Sequence, residues 1–399
     1  MSSADIAWML FASALVMLMS PGLALFYGGM VRAKNVLSVF MQVFMCMALG
    51  SILWVVVGYS IAFGDSMAGG LFGDPTQHFL LRDLDGIDET VTVIFQMMFA
   101  IITPALIVGA FAERMKFSAF LLFTGAWSIL VYPVVAHWVW GGGIIDDWFG
   151  SLDFAGGTVI HINAGIAGLV TAVVLGKRTG WPKTAMLPHN LSMTAFGAGL
   201  LWFGWFGFNA GSAGEVNMQA VNAFLVTHIA AATASLFWVV AEWVKDGHPT
   251  TLGAASGAVA GLVGITPAAG YVGVNGALVI GVLAGVLCYL AVGLKSRFEY
   301  DDSLDVVGVH FVGGLLGALL TGFLATQGLS GEEAGFALFG KQLGGVVVTT
   351  VYSVLMTFVI LFIADALLKG IRSSEEDEVR GLDLGDHKES GYVFTEMGG

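Results

Sequence analysis

Apolar runs dominate the 399-residue chain. They cover about 6–31, 36–63, 90–112, 117–141, 154–176, 189–209, 217–244, 252–268, 272–294, 303–328 and 341–369. A helix rises 1.5 Å per residue, so ~20 apolar residues cross a hydrocarbon core of ~30 Å. Eleven spanning helices are therefore predicted, the eighth of them short and closed by Pro267. Alternating period-2 segments of ~10 residues are absent, which argues against a transmembrane barrel.

Composition supports lipid as the solvent. The chain is 57% hydrophobic and 11% charged, where soluble domains carry about 25% charged residues. The start, Met1-Ser-Ser-Ala-Asp5, lacks the basic segment of a secretory leader, so the first run reads as the first span. With the N-terminus outside, the inner loops and tail hold Arg32, Lys34, Arg114, Lys116, Lys177, Arg178, Lys183, Lys245, Lys295, Arg297, Lys369, Arg372, Arg380 and Lys388. Only Arg82 and Lys341 then lie outside. That bias is what the positive-inside rule expects, and it predicts a cytoplasmic C-terminus. The net charge of −13 and the lack of a basic patch argue against nucleic-acid binding. Cys46 and Cys288 fall in apolar runs and suggest no disulfide framework or metal cluster.

The fifth and tenth spans resemble each other. Asp153 precedes His161 by eight residues, as Asp302 precedes His310. Each histidine has glycine at +4 and +7: Gly165 and Gly168, then Gly314 and Gly317. The two spans run in opposite directions. The fold class is thus all-α integral membrane, with two inverted five-helix repeats plus a C-terminal helix, and a site is expected at their interface. Eight residues correspond to roughly 12 Å of helix, which puts both histidines near mid-membrane, where the pseudo-symmetry would let them meet. A lone intramembrane histidine is more often a neutral packing residue. Two at matching repeat positions point to function, and neutral imidazoles can donate and accept one hydrogen bond each. Two histidines alone leave a metal under-coordinated.

Other residues read less sharply. His137, His189 and His228 suit packing or capping. Trp140 ends the fourth span, where an interfacial belt tryptophan and a cation–π face are equally good readings. Phe99 and Phe208 sit in the outer halves of their spans, and lipid-facing packing is the default for any one of 29 phenylalanines. Asp153 suits a helix cap. Most of the 56 glycines suit close helix packing. No nucleophile elbow, P-loop or zinc-protease motif appears, so a membrane enzyme has no support.

Long motifs carry a resemblance: Pro21-Gly-Leu-Ala-Leu-Phe-Tyr-Gly-Gly29, Arg32-Ala-Lys-Asn35, Gly109-Ala-Phe-Ala-Glu-Arg114 and His137-Trp-Val-Trp-Gly-Gly-Gly143. So do Asp153-Phe-Ala-Gly-Gly-Thr-Val-Ile-His-Ile-Asn163, Gly204-Trp-Phe-Gly-Phe-Asn-Ala-Gly-Ser212 and Asp305-Val-Val-Gly-Val-His310. Together they resemble the ammonium transporter family (the Amt/Mep/Rh superfamily), on its prokaryotic Amt branch, over essentially the whole chain. The resemblance implies an outer ammonium site at Trp140, Ser212 and Phe99, a phenyl gate of Phe99 and Phe208, twin histidines His161 and His310, and a structural and electrostatic aspartate, Asp153. It implies a transmembrane domain over 1–370 and a cytoplasmic regulatory tail over 371–399. A homotrimer is implied, with a PII (GlnK-type) signal protein as partner, the tail segment Glu375–Tyr392 carrying that likeness. No cofactor, resident metal or catalytic residue is expected. One departure is Phe311, directly after the second histidine, which would narrow the pore. Two other readings stay open: an ammonium sensor signalling through PII, and an Rh-type neutral-gas channel.

Overall fold

In the computed structural model, the described residues are 1–392. Among these, ten helices are long and apolar enough to cross a membrane. They are α1 Ser3–Met30, α2 Ala33–Phe63, α3 Ile87–Phe111, α4 Phe117–Phe149, α5 Gly157–Leu175, α6 Leu191–Gly211, α7 Met218–Asp246, α9 Val274–Phe298, α10 Val307–Leu324 and α11 Phe336–Leu368. The apolar helix α8, Thr251–Ile265, is shorter, as the sequence predicts. The protein is a multi-pass membrane protein. One end of the bundle carries Trp140 (the tryptophan end) and the other carries the C-terminal segment (the tail end).

Small residues set the packing. A Cβ on Gly197 would stand 2.3 Å from the Phe26 nitrogen, and one on Gly207 2.7 Å from the Ala12 carbonyl. α1 and α6 therefore touch backbone to backbone, which only glycine permits. α8 and α9 meet α7 in the same way. Cβ atoms on Gly261 and Gly281 would lie 2.5 and 2.8 Å from the Ala230 carbonyl.

Some local structure differs from regular spanning helices. α4 breaks at Val131, where φ is −118° and ψ −61°, and again at Gly141–Gly143. A two-stranded ladder pairs Ser66–Met67 with Phe72–Gly73 in the loop after α2. The starts of α5 and α10 are π-helical, over Gly157–Ile162 and Val307–Phe311, and these turns carry the two histidines.

At the tail end an ion network joins four loops. Glu113 accepts from Arg32, from the Asn35 amide and from Arg178 Nη1 at 3.0 Å. Arg178 also grips Asp301 through Nε and Nη2, at 2.9 and 2.7 Å. Arg114 is fully buried and donates to Ser303 and to the Asp301 carbonyl. Burial pushes the Glu113 carboxyl up, but Arg178 and Arg32 outweigh it and hold it below the usual carboxylate range. The segment after α11 docks on this network. A short helix, α12 Glu375–Arg380, presents Glu378 to Arg372 and to the Thr179 backbone and hydroxyl. Leu382 donates to the Asn35 side chain, and Asp383 caps α2 by accepting from Leu37 and Ser38. Residues 393–399 of the predicted tail lie outside the described residues.

Candidate functional site

The path begins at a cavity of about 250 Å³ at the tryptophan end, lined by Phe99, Trp140, Ser212, Gln96, Thr92 and neighbours. Trp140 is locked by an N–H···O bond of 2.9 Å to the Asp153 carbonyl. Its ring meets Phe99 edge to face, with centroids 6.2 Å apart. The Ser212 hydroxyl donates to the Phe208 carbonyl at 2.8 Å, so its lone pairs are its remaining capacity.

Beneath this cavity Phe99 and Phe208 close on each other, with centroids 4.5 Å apart and both 1% exposed. Next comes His161, stacked on Phe208 at 6.0 Å and on Trp205 at 5.5 Å. His310 follows, its ring 5.4 Å from that of His161 and tilted by 15°. The two Nδ1 atoms are 3.3 Å apart, so one carries a proton and the other accepts it. His161 Nε2 is buried and has no hydrogen-bond partner among the described residues. A lumen of about 10 Å³ runs beside the pair, lined by Met19, Leu23, Phe26, Ile102, Leu106 and Val259 among others. That is room for about one water-sized molecule.

The glycines predicted as packing residues create this meeting. A Cβ on Gly165 would lie 2.3 Å from the Phe311 nitrogen, and one on Gly314 3.0 Å from the Gly157 carbonyl and from His161 Cβ. α5 and α10 cross there at backbone contact, which brings the imidazoles together from 149 positions apart. Phe311 packs with Ile162, Ala318 and Val346 and is not among the residues that line the lumen beside the histidines.

Asp153 is 5% exposed and accepts four backbone N–H groups, from Gly156, Gly157, Thr158 and Val159, at 2.6–3.0 Å. It caps the π-turn that bears His161. Burial pushes its carboxyl up, and the four donors oppose that. Asp302 is its counterpart at the tail end, with one oxygen accepting from Val307 at 2.8 Å and the other without a partner among the described residues. Burial, with Asp305 nearby, pushes the Asp302 carboxyl up to about 7.

Two of the other histidines hold local structure. His137 bonds the Ala62 carbonyl and the Ser66 hydroxyl, and His189 bonds the Val31 carbonyl and Tyr392. Both cysteines are buried and unpaired. Among the described residues no group of three or more histidine, cysteine or acidic side chains could hold a metal. Sequence reading missed Trp205, Gln96 and the Glu113 network. Trp205 had one available signal, since it stands three residues before Phe208 and so shares its helix face.

The sequence profile of the Ammonium Transporter Family matches residues 7–392. An ammonium transporter of Mycobacterium bovis is 49% identical over 99% of this chain and 91% of its own length. One of Bacillus subtilis is 47% identical over 98% of this chain and 99% of its own. Among solved structures, Saccharomyces cerevisiae Mep2 superposes with a TM-score of 0.88 at 36% identity, covering 94% of this chain and 88% of that one. A sensor Amt protein does so with a TM-score of 0.91 at 28% identity, covering 96% and 98%. The chain belongs to the ammonium transporter family, a family of membrane transporters and not of enzymes.

Proposed function

We propose that ammonium is bound as an ion at the tryptophan end, loses a proton near Phe99 and Phe208, and crosses the lumen as ammonia while the histidine pair relays the proton. The lumen carries this reading: its lining is apolar except for two imidazoles joined Nδ1 to Nδ1. An intact monovalent ion in such surroundings faces a desolvation cost of several kcal/mol or more. Neutral ammonia avoids that cost, and imidazole titrates near ~6.5 when unperturbed, so it can hold and pass a proton.

The tryptophan end is the outer one on this reading, supported by the distribution of 16 Lys and Arg residues. Residues 1–370 form the transport domain, and 371–399 form a regulatory tail that meets a PII (GlnK-type) protein. The assembly is a homotrimer with one pore per subunit. A second reading, an ammonium sensor, draws support from the likeness to a sensor Amt protein. Current recorded on proteoliposomes during an ammonium jump separates the two. Transport predicts a charge-carrying current that a potassium jump does not evoke. Ammonium binding without current would reject the proposal and leave the sensor and the neutral-gas channel, which uptake of ammonia would tell apart.

A further inference from the structure

α11 turns an apolar face outward, with Val351, Leu355, Phe358, Val359, Phe362 and Leu367 all exposed. Hydrocarbon chains are the solvent that suits such a face in a membrane-spanning helix. Near the tail end the pattern changes. A cavity of about 460 Å³ opens between α11, the end of α5 and residues Gly370–Arg372. Phe358, Leu361, Phe362 and Val174 line it together with two charged residues of opposite sign, Asp365 and Arg372. Asp365 is exposed and stands three residues before Leu368, the end of α11, which is roughly 5 Å of helix. That depth belongs to the headgroup layer, which adds about 5–8 Å to each side of the hydrocarbon core. The carboxylate accepts the Ile371 N–H through Oδ1 at 3.2 Å and has no ion pair among the described residues. Arg372 is turned instead to Glu378, through Nε and Nη2, and to the Leu175 carbonyl through Nη1. A guanidinium has five N–H groups, so Arg372 keeps one on each terminal nitrogen.

The charges select the occupant. Glu378 cancels the charge of Arg372, which leaves the Asp365 carboxylate in surplus. A headgroup with net negative charge is therefore disfavoured. An acceptor-only carboxylate beside apolar walls calls for a cation that donates hydrogen bonds. A choline headgroup brings a cation without an N–H, whereas an ethanolamine headgroup brings an ammonium with three. We propose that this cavity binds a phospholipid of the phosphatidylethanolamine class, its ammonium on Asp365, its phosphate on the free N–H groups of Arg372 and its acyl chains along Phe358 and Phe362. The same Arg372 holds Glu378 of α12, so the site joins the bilayer to the segment after α11.

The test reads lipid contact at this one place. Ala366 is exposed and lies four positions after Phe362, hence on the same helix face. Ala366→Cys carries a fluorophore, and the two native cysteines are buried. The labelled full chain is reconstituted in phosphatidylcholine vesicles. It is then titrated with phosphatidylethanolamine, phosphatidylcholine or phosphatidylglycerol bearing brominated chains, which quench on contact. The ethanolamine lipid is expected to reach half-maximal quenching at a mole fraction roughly tenfold below that of the choline lipid, the scale of one charge-assisted hydrogen bond. The glycerol lipid should do no better than the choline lipid. Asp365→Asn keeps an oxygen for the Ile371 N–H and removes the charge, and it should bring all three lipids within twofold of one another. Equal quenching by the three lipids in the otherwise wild-type chain, as a cavity covered by a second copy or filled by water would give, would overturn the proposal. So would a preference for the glycerol lipid, or a tenfold ethanolamine preference that survives in Asp365→Asn. Should Asp365→Asn not fold, Val174→Trp fills the cavity from α5 and should erase the preference. An unchanged preference in that variant would overturn the proposal equally.

Discussion

The two ends of the pore are built on one repeated plan and treat the same carboxylate differently. At the tryptophan end both oxygens of Asp153 are filled by four backbone N–H groups. At the tail end Asp302 stands at the same offset from its histidine, yet one of its oxygens has no partner among the described residues. Its neighbours are Asp305, paired with Lys295, and Asp301, held by Arg178. The first end leaves an open, aromatic-lined cavity above its aspartate. The second is tied by ion pairs to four loops and to the segment after α11. A duplicated fold can thus keep its backbone while one copy leaves an open cavity and the other holds loops and tail.

The largest effect should come from breaking the better-filled end. Asp153→Ala orphans four buried N–H groups, and hydrogen bonds to a charged acceptor contribute about 1.5–3 kcal/mol each before any relaxation. A loss on the order of 5 kcal/mol and near-complete loss of transport are expected, read by thermal unfolding in detergent and by ammonium current. Asp302→Ala should cost much less. Equal costs would end the contrast between the ends.

Next in size is the ion network. Glu113→Ala leaves Arg178 and Arg32 without their shared carboxylate, and breaking a buried pair by removing one partner costs about 3–5 kcal/mol. The melting temperature should fall while the half-saturating ammonium concentration holds, because Glu113 is remote from the cavity at the tryptophan end. A raised half-saturating concentration with unchanged melting would contradict that division.

Smaller again is a pH effect. With the Asp302 carboxyl pushed up to about 7, the folded protein holds a proton there that the unfolded chain releases near 3.8. The folded state then binds more protons between those values, so this group's contribution to stability falls as pH rises from about 4 to 7. Asp302→Asn should flatten that part of the stability profile. A profile identical to wild type would show that Asp302 does not titrate there.

The smallest effect expected on transport is that of cutting after Lys369. The cut removes Glu378 from Thr179, Leu382 from Asn35 and Asp383 from the start of α2. Stability should drop by about 1–3 kcal/mol, the scale of lost caps and buried hydrogen bonds, while current persists because no pore-lining residue is lost. Abolished current in a folded truncation would make the tail part of the pathway.

The sequence carried the spans, including the short α8, because lipid demands long apolar runs and little else does. The His161–His310 pair was legible for a similar reason: matching offsets from Asp153 and Asp302 expose the repeat. The π-turns were not, since they follow from how α5 and α10 cross at Gly165 and Gly314, which is a tertiary fact. Phe311 looked like a pore residue by adjacency to His310, and it turns away because successive helical positions point about 100° apart. Arg178 and Glu113 were visible only as loop charges, their partners being 65 to 123 positions away. Glu378 and Asp383 could be read only as members of the tail segment, yet each is 2% exposed, because basic groups and free helix N–H groups at the tail end receive them.

The most direct measurement of the proposed mechanism is ammonium-evoked current from a double variant in which His161 and His310 are both replaced by leucine, reconstituted beside wild type with folding verified by size and thermal unfolding. Among the described residues the imidazoles are the only titratable side chains lining the lumen, so the proposed proton relay past the apolar section would depend on them. The double variant should lose at least ~90% of the current, on the scale of the tenfold or greater effects of removing a positioned proton-transfer group. Full-sized current from the folded double variant would contradict the relay and reduce the pair to packing within the pore.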